Sequence, residues 1–178
     1  MRMLSAALAW ACFGLGLVPT LNAQAAYTAT RRVRVQIGVG GLYLHTDFTP
    51  AEDEGVADWV DVDFARHVGI EGKVQFGSLR TPDAIGERSY FLGPRVRFAR
   101  GRLNVFGTAG LGQGTISNRL LGTFSTYNLA NFGGGAEWLV ERHWNLRLAD
   151  VEVARWLGFP PNGLTPVSLV AGASYVLP

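Results

Sequence analysis

The chain has 178 residues, room for a single domain, and nearly half of them are apolar while 17% are charged. Its 23 glycines follow no fixed period, which excludes collagen-like and low-complexity architectures. Sixteen basic residues against fourteen acidic ones, scattered along the chain, leave no basic footprint for nucleic acid.

The N-terminus reads as an export signal. Arg2 supplies a positive start, Leu4 to Val18 is apolar and uncharged, Pro19 and Asn22 break the run, and Ala23-Gln24-Ala25 fits small-x-small processing. Residues 1–25 are therefore expected to be a cleaved signal peptide and 26–178 the mature domain. Cys12, the single cysteine, leaves with it. A mature chain without cysteine has no disulfide framework, thiolate catalysis or Cys-ligated metal. No other apolar run is long enough to cross a bilayer as a helix.

From residue 33 onward the dominant signal is alternation, the signature of strands. Val33, Val35, Ile37 and Val39 alternate with Arg34, Gln36, Gly38 and Gly40; Val60, Val62 and Phe64 alternate with Asp61 and Asp63. The pattern predicts eight strands near 33–46, 58–64, 68–77, 89–98, 103–113, 128–140, 144–156 and 166–176. The connections at 65–67, 99–102 and 141–143 are tight; those at 47–57, 78–88, 114–127 and 157–165 are longer and polar. Short turns at one end and long loops at the other are the pattern of an outer-membrane barrel, with both termini on the periplasmic, short-turn side.

The polar positions are mostly glycines with a few charges of both signs: Glu71, Lys73, Arg95, Arg97, Glu137 and Arg147. That mixture suits a narrow lumen in which opposite charges pair, and eight strands enclose just enough space for side chains to fill. Asp61 and Asp63 are expected in the lumen near its outer mouth. The apolar sets carry Trp59, Tyr90, Phe98, Trp138, Trp144, Trp156 and Tyr175 near strand ends, the positions of interfacial aromatic girdles. One stretch breaks phase. After Leu148 the outward positions fall on Asp150 and Glu152; either the strand has already emerged above the hydrocarbon there, or a bulge near Ala149-Asp150 resets the phase, the second reading being preferred.

Several stretches carry a resemblance. Tyr90-Phe91-Leu92-Gly93-Pro94-Arg95-Val96-Arg97-Phe98, Val105-Phe106-Gly107, Gly133-Gly134-Gly135-Ala136-Glu137-Trp138 and His143-Trp144-Asn145-Leu146-Arg147 resemble the bacterial outer-membrane β-barrel domain family related to the OmpA and OmpX barrels. The resemblance runs over nearly the whole mature chain. It implies an all-β fold, an eight-stranded antiparallel up-and-down transmembrane barrel, and insertion by the barrel-assembly machinery through a C-terminal signal. Tyr175 fills the aromatic role in that signal, although the chain ends on Pro178 rather than on Phe or Trp. The implied surroundings are the lipid and lipopolysaccharide of a Gram-negative outer membrane, with a monomeric chain.

Motifs for chemistry are few. His45, His67 and His143 match no metal-ligand spacing, and the two turn histidines are expected in solvated turns. A lipid hydrolase needs a base and a nucleophile; His45 and Ser78, Ser89 or Ser125 are the candidates, with no nucleophile elbow around them. Asp47, Glu52, Asp53, Glu54 and Asp58 are read as an acidic extracellular loop without the spacing of a Ca²⁺ loop. No peptidoglycan-binding domain is expected after the barrel. The expected function is therefore a non-enzymatic outer-membrane protein, without cofactor or catalytic residues, acting in envelope integrity or surface interaction. Small-solute or lipid transport is the first alternative and lipid hydrolysis the second.

Overall fold

A computed structural model describes residues 33–47, 52–80, 85–118, 120–160 and 163–178. The expected signal peptide, 1–25, lies outside the described residues. Eight strands follow in chain order: β1 (Arg34–His45), β2 (Glu52–Asp63), β3 (Val68–Arg80), β4 (Ile85–Arg100), β5 (Leu103–Asn118), β6 (Thr123–Glu141), β7 (Trp144–Leu157) and β8 (Val167–Val176). Each pairs antiparallel with the next, and β8 pairs antiparallel with β1, so the sheet closes on itself. No helix among the described residues is long and apolar enough to cross a membrane; the strands are the elements that can.

Closure carries a stagger. The paired residues Arg34, Asp63, Gly69, Arg95, Thr108, Gly133, Glu152 and Ser168 run once around the wall and return to β1 at Leu44, ten residues above the start. Ten residues of rise set against eight strand spacings tilt the strands by about 40°. Such a barrel is narrow, and its interior must be filled by side chains.

Alternation then separates two surfaces. Ile37, Val39, Val60, Ile70, Leu92, Val96, Val105, Leu111, Leu146 and Leu169 point outward and are exposed, whereas Gln36, Asp61, Glu71, Lys73, Arg95, Glu137 and Arg147 point inward and are buried. This is the inverse of a soluble barrel and matches a membrane wall. On β6 the outward face is apolar from Ala130 to Trp138 and turns polar at Asn128. Those nine residues rise about 20–25 Å along a tilted strand, the height of an outer-membrane hydrocarbon band. Above it the outward face becomes a polar ladder: Tyr90 Oη donates to Gln113 at 2.5 Å, and Thr115 meets Thr126 at 2.9 Å.

Three sequence expectations change. The second strand begins at Glu52, not near 58, because it pairs along all of β1 from His45↔Glu52 to Arg34↔Asp63. The supposed acidic loop is therefore mostly strand, with Asp53 facing in and Glu52, Glu54 and Asp58 facing out. Second, β2 descends towards the short turn at 64–67, so Asp61 and Asp63 sit at the short-turn end of the lumen rather than at its outer mouth. Third, the expected 114–127 loop is largely a continuation of β5 and β6, paired up to Asn118↔Thr123.

Of the two readings of the seventh strand, the structure shows the bulge. Ala136 pairs with Ala149 but Glu137 with Arg147, so Leu148 is an extra residue on β7. The β7–β8 register slips at the same place, between Arg147 and Asp150. The extra residue returns Asp150 and Glu152 to the inside, where they are 0% and 2% exposed.

Candidate functional site: a closed, charge-filled lumen

The short-turn half of the lumen is a single ion-pair network, built by inward positions of five strands. Arg147 on β7 is its hub. Its Nη2 reaches Glu137 at 2.9 Å, Asp61 at 3.0 Å and Glu71 at 3.1 Å, while Nη1 reaches Asp150 at 2.8 Å. Arg95 on β4 shares three of these carboxylates, Glu137 at 3.1 Å, Asp61 at 3.5 Å and Glu71 at 3.7 Å, and adds Asp63 at 3.4 Å. Both guanidinium groups lie 4.6 Å from the centre of the Phe106 ring, and Arg147 also covers Trp59 at 4.2 Å. Aromatic faces thus supply the remaining coordination that these weakly hydrated cations need.

One layer higher, Lys73 sits among Glu71 at 3.1 Å, Glu152 at 2.6 Å and Asp150. Glu71, Asp150 and Glu152 are close enough to one another to hold a metal ion. Lys73 Nζ fills that position with its own charge, so the lysine does what a cation would. Neutral amides finish the network. Gln36 donates to Asp61 and Glu137, Asn145 donates to Gln36, and Gln75 donates to Glu152. Arg97 is held at the short-turn rim by Asp63 at 3.0 Å.

Six carboxylates (Asp61, Asp63, Glu71, Glu137, Asp150, Glu152) therefore meet four cations (Lys73, Arg95, Arg97, Arg147). The six expected lumen charges lie together in this network. Asp150 and Glu152 join them because the one-residue bulge on β7 turns inward the positions that simple alternation would leave outside.

The outer half holds two apolar clusters among buried polar side chains that include Asp53, Glu87, Ser89, Asn131 and Ser168. Phe91, Leu129, Trp156 and Leu164 form one buried cluster, while Leu42, Ala57, Trp59 and Val170 form another. Leu164 comes from the connection after β7 and folds back on the barrel, its carbonyl accepting from Trp156 N at 2.8 Å. Trp59 and Trp156, expected in the lipid-facing girdle, are 1% and 0% exposed and point into the lumen. Trp59 shares its face with Asp61 and Asp63, so the alternation of β2 already carried it inward; Trp156 lies beyond the Leu148 bulge and is inverted by it. Each indole occupies the space a side chain would need at a glycine across the wall, Trp59 at Gly38 and Trp156 at Gly114.

Gly38→Val should therefore destabilise the barrel by about 1–3 kcal/mol through overpacking against Trp59. Trp59→Ala in the same chain should recover part of that loss, because the two changes share one space. Urea unfolding followed by heat-dependent gel mobility reads both; additive losses would exclude the steric account.

The other girdle residues face outward. Phe98, Trp138, Trp144 and Tyr175 surround the short-turn end together with Phe64, while Tyr90 lies towards the outer end with Tyr43 and Phe132. The turn histidines join the lower ring: His67 stacks on Phe98 at 5.3 Å and His143 on Tyr175 at 5.7 Å. The hydrolase candidates are not brought together. His45 faces outward, Ser89 faces inward and donates to Gln75 at 3.1 Å, and Ser125 lies exposed on the β5–β6 hairpin. The side chain of Ser78 lies outside the described residues.

An apolar outer wall, a charged and packed lumen and two aromatic rings mark a closed eight-stranded β-barrel with the fold of the OmpA/OmpX-like outer-membrane barrels. Solved structures share the fold at low sequence identity. Neisserial surface protein A superposes with a TM-score of 0.62 at 13% identity, over 80% of this chain and 96% of that one. Ail, the attachment invasion locus protein of Yersinia pestis, gives 0.57 at 14%, over 82% and 99%. The N-terminal β-barrel domain of Pseudomonas aeruginosa OprF gives 0.56 at 12%, over 82% and 100%. No family model matches the chain, and no curated protein matches it in sequence.

Proposed function

We propose that this chain is an exported, non-enzymatic envelope protein: a rigid, closed barrel whose outer hairpin makes contacts beyond the membrane. In this reading residues 1–25 are removed on export and the barrel-assembly machinery inserts the rest among outer-membrane lipid and lipopolysaccharide. The observation that carries the reading is the filled lumen. Arg147, Arg95 and Lys73 close one half with paired charge, and Trp156, Phe91, Leu129 and Leu164 close the other with apolar bulk. A barrel sealed twice over has no path for a hydrated solute.

The β5–β6 hairpin is the natural surface for interaction. It continues past the apolar band as a polar ribbon, and its tip exposes Leu120, Leu121 and Phe124. Exposed large apolar side chains at a ribbon tip mark a contact site more than a solvated loop. Ail, which shares the fold, was crystallised with the heparin analogue sucrose octasulfate. That precedent supports surface binding as a use of such a barrel.

Planar-bilayer recording of the purified, folded protein tests the closed-barrel reading. The expected trace shows no stable single-channel conductance. Discrete, long-lived steps would favour small-solute transport instead.

A further inference from the structure

The outward wall carries one charge where none belongs. Asp58 on β2 is exposed and faces outward, opposite Val39 on β1 and Val74 on β3. Along its own strand it is six residues from Phe64 in the lower aromatic ring and four from Glu54 above. That places it about 15 Å above the lower ring and about 5–10 Å below the outer edge of the apolar band. A lipid-facing carboxylate at this depth is unfavourable unless something in the membrane plane pairs with it. Among the described residues no hydrogen bond or ion pair holds its side chain.

The wall around it is shaped for close approach. Gly72 on β3 and Gly41 on β1 are outward positions without side chains, and a Cβ at Gly41 would meet nothing within 4 Å. Ile37, Val39, Val60, Val74 and Leu92 border a groove of about 700 Å³ that takes in Asp58 and Gly72. Small residues on a lipid-facing surface let two backbones come together, and a polar group among them adds hydrogen bonding. Any partner must therefore present a hydrogen-bonding group at the depth of Asp58.

We propose that this face docks a second copy of the chain, with the two Asp58 carboxyl groups joined across a two-fold axis. In a membrane both copies keep their short-turn ends on the same side, so the axis runs along the membrane normal. A residue near that axis meets its own counterpart at the same depth. Among the described residues no Lys, Arg or His faces outward between the aromatic rings, so within a homodimer only Asp58 can answer Asp58. In an apolar medium two carboxyl groups satisfy each other through reciprocal O–H···O hydrogen bonds. This inference rests on the membrane-barrel reading and replaces the expectation of a monomer.

The test keeps Asp58 in place and puts a cysteine beside it. Val60→Cys lies outward two residues below Asp58, and Phe132→Cys lies outward on β6, diametrically across the barrel. In native membranes a short bis-maleimide should join Val60→Cys chains at twice the monomer mass and leave Phe132→Cys chains single. Adding Asp58→Val should reduce the Val60→Cys product about tenfold, the size expected for one hydrogen-bonded pair in a bilayer. Asp58→Asn, whose amides can also pair, should keep most of it. Equal cross-linking with Asp58→Val, no dimer in the Asp58 background, or a product with a chain of different mass would each overturn the proposal. An aqueous maleimide that labels Phe132→Cys would overturn the membrane-barrel reading itself. Protection of that site with no dimer would overturn only the pairing.

Discussion

Arg147→Ala is expected to lower barrel stability by about 3–5 kcal/mol, the cost of leaving buried charge uncompensated. Arg147 is the one cation shared by Asp61, Glu71, Glu137 and Asp150. Without it these carboxylates depend on Arg95 and Lys73, which already serve Asp63 and Glu152. With a urea dependence of about 2 kcal/mol per molar for a small domain, the unfolding midpoint should fall by about 2 M. The variant also loses its stacking on Trp59 and Phe106. Arg147→Lys should lie between, because an ammonium supplies charge but not a planar fork that serves several carboxylates at once. Arg142→Ala, in the exposed turn before β7, is the control and should stay within about 0.5 kcal/mol of the parent. A midpoint for Arg147→Ala indistinguishable from that control would mean that the network does not hold the barrel together.

The same network shows how far a sequence carries. Alternation located all eight strands, and the order of short and long connections gave their direction, because both depend on neighbouring residues only. Which charges share one lumen was also legible, since Glu71, Lys73, Arg95, Glu137 and Arg147 fall on the polar phase of their strands. Which pair with which was not, because Arg147 meets Asp61 across 86 positions of sequence and that meeting depends on barrel register. Trp59 shows a different failure. Its phase with Asp61 placed it inside, but its bulk and position near the strand end suggested an interfacial ring; the space left by Gly38 decides the matter. The outer β5–β6 ribbon was missed because its Thr, Ser and Asn residues alternate without an apolar face to betray the strand.

A second expected result concerns Leu148, a residue with no polar function. It is exposed on the wall, and its side chain contributes to no buried cluster. Its substitution by Ala should leave the barrel near parental stability, because only lipid-facing area is lost. Its deletion should also give a folded barrel. Glu137 already pairs with Arg147 and Ala136 with Ala149, so only Leu148 is left over between them. Without it Arg147, Ala149 and Asp150 alternate inward, outward and inward in a regular strand. Asp150 and Glu152 then stay beside Lys73, and Trp156 stays in the apolar plug over Gly114. The damaging arrangement is the opposite one, a seventh strand that keeps Leu148 but pairs without the bulge. It would turn Asp150 and Glu152 to hydrocarbon, bring Val151 and Val153 into the lumen, and leave Lys73 one of its three carboxylates. A buried lysine short of partners, two lipid-facing acids and an emptied plug together exceed the marginal stability of a small domain, about 5–15 kcal/mol. That cost is what forces the extra residue out of the ladder. Heat-dependent gel mobility after membrane insertion tests this: Leu148→Ala and the deletion should both give the compact folded band. Only unfolded or degraded chain from the deletion would show that the barrel needs the bend the bulge imposes on β7, and not merely the phase it restores.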